Sequence, residues 1–141
     1  MAAFNKFNAF VENLAEKVHD LQSDTLKVML TNTAPTATDA VLADLTEISA
    51  GNGYTAGGTA ATQSSSAQSS GTYKLVLADV TFTASGGSIG PFRYAVLYND
   101  TPTSPADPLV GYWDYGTALT LTSGNSFTVD FDASAGVLTL A

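Results

Sequence analysis

A chain of 141 residues is long enough to bury a core without covalent staples, and it has none: cysteine is absent, which excludes a disulfide framework, thiolate metal sites and a cysteine nucleophile. Thirteen acidic residues against five basic ones give a net charge of −8, a balance that opposes phosphate binding and so excludes nucleic acid as a partner. The single histidine, His19, leaves almost nothing for a multi-histidine metal cage or a Ser-His-Asp triad, and a charged fraction of 13% beside a hydrophobic fraction of 45% is the reverse of a disordered composition.

Lys6, Glu12, Glu16 and Lys17 interrupt any apolar leader in residues 1–21, and no run reaches the roughly 18 apolar residues of a membrane helix. The expectation is a soluble product that engages no membrane. Phe7, Val11, Leu14, Val18 and Leu21 follow a 4-3-4-3 spacing, with Phe4 and Phe10 beside the stripe, which predicts one amphipathic helix over residues 4–21. Glu12 and Glu16 form an unfavourable i,i+4 pair, so packing must hold this helix, either on its own β core or on a neighbouring subunit.

From Thr25 the period becomes two. Leu26, Val28 and Leu30 predict a strand buried on one face. Asp39 to Ile48 fits a short helix with Asp39 as cap and Val41, Leu42, Leu45 and Ile48 as its apolar face. Residues 55–71 are Gly, Ala, Ser, Thr and Gln, a long surface loop or a weak edge strand. Tyr73, Leu75 and Leu77 alternate, then Val80 and Phe82 take the other parity, which predicts a bulge or bend at Ala78–Asp79. Phe92, Tyr94, Val96 and Tyr98 share one face of the next strand, with Ala95 and Leu97 opposite. Strands over Leu109–Tyr115, Ala118–Thr122, Ser126–Phe131 and Val137–Leu140 follow, with Ser123-Gly-Asn125 as a hairpin signal and Phe127, Val129 and Phe131 facing the core. The predicted fold is a single domain over 1–141: mainly β, an antiparallel β-sandwich or jelly roll over 25–141, with one N-terminal amphipathic helix.

No stretch carries a catalytic pattern, and no catalytic, cofactor-binding or metal-ligating residue is predicted. Asp130 and Asp132 project from one face of a strand as paired carboxylates would, but the opposite face belongs to the core and no regular calcium-loop order surrounds them. Gly86-Gly-Ser-Ile-Gly90 precedes Pro91 and a β pattern rather than a helix, so it reads as a turn and not as a phosphate loop. The serine runs at 64–66 and 69–70 have no histidine base beside them. The aromatic residues are the informative group. Tyr94, Tyr98, Tyr112, Trp113 and Tyr115 concentrate in two neighbouring strands, where they serve as sandwich core, as an interface or as a sugar platform. Arg93, the only arginine, is expected to pair with a carboxylate, within the chain or across an interface. The interface candidates are Phe4, Phe7, Val11, Arg93, Tyr94, Tyr112, Trp113 and Tyr115.

Several stretches resemble small structural proteins of tailed bacteriophages: Phe4-Asn-Lys-Phe-Asn-Ala-Phe-Val-Glu12, Asp24-Thr-Leu-Lys-Val-Met-Leu-Thr-Asn-Thr33, Ile48 through Gly53-Tyr54, Gly71-Thr-Tyr-Lys-Leu75, Gly90-Pro-Phe-Arg-Tyr-Ala-Val-Leu-Tyr-Asn99, and Phe127-Thr-Val-Asp-Phe-Asp132 with Gly136-Val-Leu138. Together they cover most of the chain, and none is a chemical motif. The overall pattern is most similar to the capsid cement or decoration proteins. That resemblance implies a jelly-roll or related β fold, a non-enzymatic role on the virion's capsid exterior after synthesis in the host cytoplasm, the major capsid protein as partner, and self-association. A homo-oligomer is expected, a trimer ahead of a dimer, with the N-terminal helix and residues 55–71 as contacts. A tail or neck component and a receptor- or glycan-binding virion module are the alternatives.

Overall fold

The computed structural model describes residues 2–141. Its elements, in chain order, are β1 (Asn5–Lys6), α1 (Asn8–Ala15), β2 (Leu26–Thr31), a 3-10 turn (Leu42–Asp44), β3 (Thr59–Ala61), β4 (Gln63–Ser69), β5 (Thr72–Leu77), β6 (Val80–Thr83), β7 (Ile89–Asn99), β8 (Leu109–Leu121), β9 (Ser126–Val129) and β10 (Leu138–Leu140). The described strands pair antiparallel in three sheets, ordered β1-β8-β7-β2-β3, β10-β5-β4 and β6-β9. The fold is mainly β and sandwich-like, with one α-helix near the N-terminus, as the change of period predicts.

The main core lies between the sheets. Leu26, Val28, Leu30, Ala95, Leu97, Val110 and Trp113 of the large sheet meet Leu75, Leu77 and Leu138 of the second sheet and Val80, Phe82 and Val129 of the third. The large sheet is also covered on its other face, where Phe7, Met29, Val96, Tyr98 and Leu109 form a smaller core under Leu42, Leu45 and Tyr112. β2 is therefore buried on both faces, not on one.

That second core explains where the sequence pattern misleads. The chain from Ala40 to Ile48 is no helix beyond the three residues of the 3-10 turn. It runs as a strap tied to neighbouring strands, through Leu109 N–H to Ala40 C=O (3.0 Å), Leu42 N–H to Asp107 C=O (3.0 Å) and Ile48 N–H to Leu30 C=O (3.1 Å). Leu42 and Leu45 cover the second core while Ile48 packs on the main one, a demand that produces helix-like spacing without a helix. Asp39 accepts from Thr36 N–H and hydroxyl, and Asp44 accepts from Ala40 and Val41 N–H, so both acids hold turns rather than cap a helix.

The N-terminal helix spans 8–15 rather than 4–21. Phe7 and Phe10 bury on opposite faces of the large sheet, so the chain must cross its end between them, and the helix cannot extend back through Phe7. At the other end Lys17 takes a left-handed conformation (φ 66°), and Val18 N–H donates to Asn13 C=O (2.8 Å) while Lys17 N–H reaches Leu14 C=O (3.4 Å). That is the Schellman termination. Val11 is left 47% exposed.

Three further differences follow from strands changing partner. The parity flip at Ala78–Asp79 marks the chain leaving the second sheet for the third. The two strands predicted over 109–122 are one strand, β8, interrupted by a bulge: Tyr94 pairs with Asp114 and Phe92 with Leu119, so residues 115–118 stand opposite Arg93 alone. The bulge turns Phe92 onto the main-core face with Ala95 and Leu97, away from Tyr94, Val96 and Tyr98. Finally, Ser123-Gly124-Asn125 forms a turn but not a hairpin, because β9 pairs with β6 instead of β8. Of residues 55–71, the parts at 59–61 and 63–69 are edge strands of two different sheets.

A candidate aromatic groove beside the free edge of β9

Because β8 and β9 part after the turn at 123–125, a groove of about 890 Å³ opens between them. Trp113 and Tyr115 of β8, Phe92 and Arg93 of β7, and Phe127 and Phe131 of the β9 segment line it, with the Ala78–Asp79 corner at one side. Its apolar wall is built from edge-on aromatic pairs. Phe127 meets Phe92 (centroids 5.0 Å apart, planes at 71°) and Tyr115 (5.5 Å, 89°), and Trp113 meets Phe131 (5.4 Å, 63°). Such tilted contacts place positive ring edges on negative faces.

Tyr115 is the exposed member, at 53%, because it opens the bulge of β8. The bulge is fixed by a fork. Arg93 Nε and Nη2 donate to Asp114 Oδ1 and Oδ2 at 2.7 and 2.9 Å, and Gly116 N–H donates to Asp114 Oδ1 at 2.7 Å. The fork raises the Arg93 pKa, and the same bonds, Arg93 first and Gly116 second, hold the Asp114 carboxyl below its ordinary range. The carboxylate expected for Arg93 is thus in its own chain, and the guanidinium also lies 5.4 Å from the Tyr94 ring centroid.

One edge of β9 has no strand beside it. Ala84 N–H donates to Asn125 C=O (2.9 Å), and Phe131 N–H donates to Asp79 Oδ1 (2.9 Å). The antiparallel alternation between these points turns the backbone groups of Phe127 and Val129 toward β6. Those of Thr128 and Asp130 point the other way; among the described residues β6 alone pairs with β9, and Asp130 N–H has no backbone partner. Both residues line the groove. Asp132 accepts from Ser134 and Ala135 N–H, which lowers its pKa and makes it a turn-holder. Among the described residues, no group of three or more His, Asp or Glu stands close enough to hold a metal ion.

The eight interface candidates separate sharply. Phe7, Tyr94 and Trp113 are buried inside their own chain, and Phe4, Arg93 and Tyr112 are half-buried. Phe4 packs on Trp113 (5.4 Å) and Tyr112 on Phe7 (5.3 Å). Val11 and Tyr115 alone are exposed. The structure brings Arg93, Tyr94, Trp113 and Tyr115 together along the groove, with Phe4 packed on Trp113; Phe7 and Tyr112 lie on the opposite face of the sheet, where the Tyr94 ring meets Tyr112. Phe127 and Phe131 face the core, as their alternation predicts, and have a second role as groove wall, which the alternation does not show. The signal available was the Phe-x-x-x-Phe pair beside exposed Thr128 and Asp130.

Comparison with protein-family models, with curated proteins and with solved structures finds no match to this chain.

Proposed function

We propose that this protein is a non-enzymatic structural component of a bacteriophage virion, a cement or decoration protein that binds the outer face of the major capsid protein shell and stabilises it. The observation that supports this reading best is the groove. It is an aromatic, apolar concavity with an exposed tyrosine and unpaired strand backbone, which is chemistry suited to holding another chain. On the sequence resemblance to cement proteins, the chain proposed for it is the major capsid protein. A homo-oligomer, a trimer ahead of a dimer, is part of the reading. β4 supports it, as an edge strand in a stretch, residues 48–73, that contains no Asp, Glu, Lys or Arg.

A ligand that binds only the assembled shell stabilises it by RT ln(1 + [L]/Kd), about 2.7 kcal/mol per site at a hundredfold excess over Kd. Purified capsids lacking this protein should therefore melt at higher temperature when it is added, and Tyr115→Asp should lose the effect. Gel densitometry of virions supplies a second check. A cement protein is present in numbers comparable to the capsid subunit, whereas a small fraction of that number favours the tail or neck. Saturable glycan binding abolished by Tyr115→Ala would favour the receptor-binding alternative.

A further inference from the structure

We propose that the groove receives an extended segment of a partner protein, which adds as a strand to the free edge of β9 and carries a Lys or Arg opposite Asp79 and Asp130. The inference rests on the reading of the groove as a protein-binding surface and names what that surface recognises. Three independent features converge on it. The outward N–H and C=O groups of Thr128 and Asp130 ask for main-chain partners at every second residue, the repeat of a strand and not of a helix. The aromatic wall runs alongside that edge, so alternate side chains of an added strand, about 4.8 Å from β9, fall against Phe127 and Tyr115.

Charge decides the composition of the segment. Arg93 is neutralised by its two bonds to Asp114, and Asp132 is engaged with its own turn near Lys74. Asp79 gives one oxygen to Phe131 N–H, and Asp130 has no partner among the side-chain bonds of the described residues. Among the described side chains the uncompensated charge along the edge is therefore negative, in a chain that is itself at −8. A basic residue of the partner is attracted and an acidic one is repelled. Stacking of a sugar is disfavoured by the same geometry: Trp113 is only 6% exposed, and Tyr115 stands perpendicular to Phe127 rather than forming a flat platform with it.

The test selects a random twelve-residue displayed-peptide library on the full chain. Enriched peptides are expected to alternate apolar residues with polar ones and to include Lys or Arg. The tightest of them, made synthetically, should slow hydrogen exchange at the Thr128 and Asp130 amides by about tenfold or more, and Asp130→Lys should weaken its binding by about tenfold or more. Thr128→Pro removes the outward N–H and should weaken binding similarly; since proline can disturb the strand, the exposed Asp130→Lys variant is decisive if Thr128→Pro fails to fold. No enrichment, enrichment of acidic or helix-patterned peptides, or equal binding to Asp130→Lys each overturns the proposal, as does glycan binding that competes with the peptides. Peptide capture without capsid binding removes the capsid assignment and leaves the groove standing. Capsid binding unaffected by Asp130→Lys does the reverse.

Discussion

Lys17 occupies a position where glycine is the usual residue. Its φ of 66° completes the Schellman end of α1, and its side chain is exposed, so nothing offsets the steric cost of a β-carbon there. Lys17→Gly is expected to raise stability by about 0.5–1 kcal/mol, read as a shift in denaturant midpoint at constant slope. Two residues on, His19 is buried with its Nε2 unpartnered among the described residues, while Nδ1 lies 3.2 Å from Asn99 Nδ2, which also donates to Asp24 at 2.6 Å. Burial lowers its pKa below 6.5, and the neighbouring Asp24 only partly counters that. The unfolded chain therefore binds a proton more readily than the folded one, and the contribution to stability has a definite sign. It is fully present above pH 6.5 and falls as pH drops from there toward the lowered folded-state pKa. Urea midpoints measured between pH 7.5 and 5 should decline in wild type, and His19→Gln should flatten that decline. A wild-type midpoint that rises on acidification over that range contradicts the assignment.

At the scale of elements, the β6–β9 pair carries two kinds of phenylalanine. Phe82 of the facing strand β6 is fully packed, touching Tyr54 at 5.8 Å, whereas Phe127 is half-buried because its outer side forms the groove wall. Phe82→Ala should cost about 3–5 kcal/mol, the usual range for a core phenylalanine, and Phe127→Ala distinctly less, about 2 kcal/mol. Equal losses, measured by chemical denaturation, would mean that the groove is closed in solution. The strands themselves were legible because alternation at Leu26–Leu30, Tyr73–Leu77, Val80–Phe82 and Phe127–Phe131 marks the main-core face of each, even on β2, whose other face is buried too. The helix boundary and the 40–48 strap were not. Periodicity records which residues are buried but not how many cores they serve, and Phe7, Leu42 and Leu45 answer to the second one. The groove was half legible. Trp113, Tyr115 and Arg93 stood out by residue type, but the opening itself depends on β9 choosing β6 over β8. The turn at 123–125 signals a reversal of the chain and says nothing of which strand accepts it.

For the molecule as a whole, charge and contact surface pull in opposite directions. Each copy carries −8, so copies repel, yet residues 48–73 hold no ionisable acid or base except tyrosine, and β4 within them leaves one edge open. The β4–β5 hairpin turns through Ser70 and Gly71, both at positive φ (51° and 84°). A two-residue turn makes Ser69 and Thr72 a hydrogen-bonded pair, so the backbone groups of Ser66 and Gln68 face outward. Two copies joined along that edge bring no like charges together at the contact, and the remaining repulsion acts through solvent over distances that salt screens, about 8 Å at 0.15 M. Self-association should accordingly strengthen as ionic strength rises from about 0.01 M to 0.15 M, the reverse of an interface built on ion pairs. Sedimentation equilibrium of the full chain at the two salt concentrations measures this, and Ala67→Lys, which places a charge on the exposed face of the same strand, should return the chain to a monomer. Association that weakens with salt, or that survives Ala67→Lys unchanged, would place the subunit contact elsewhere than β4.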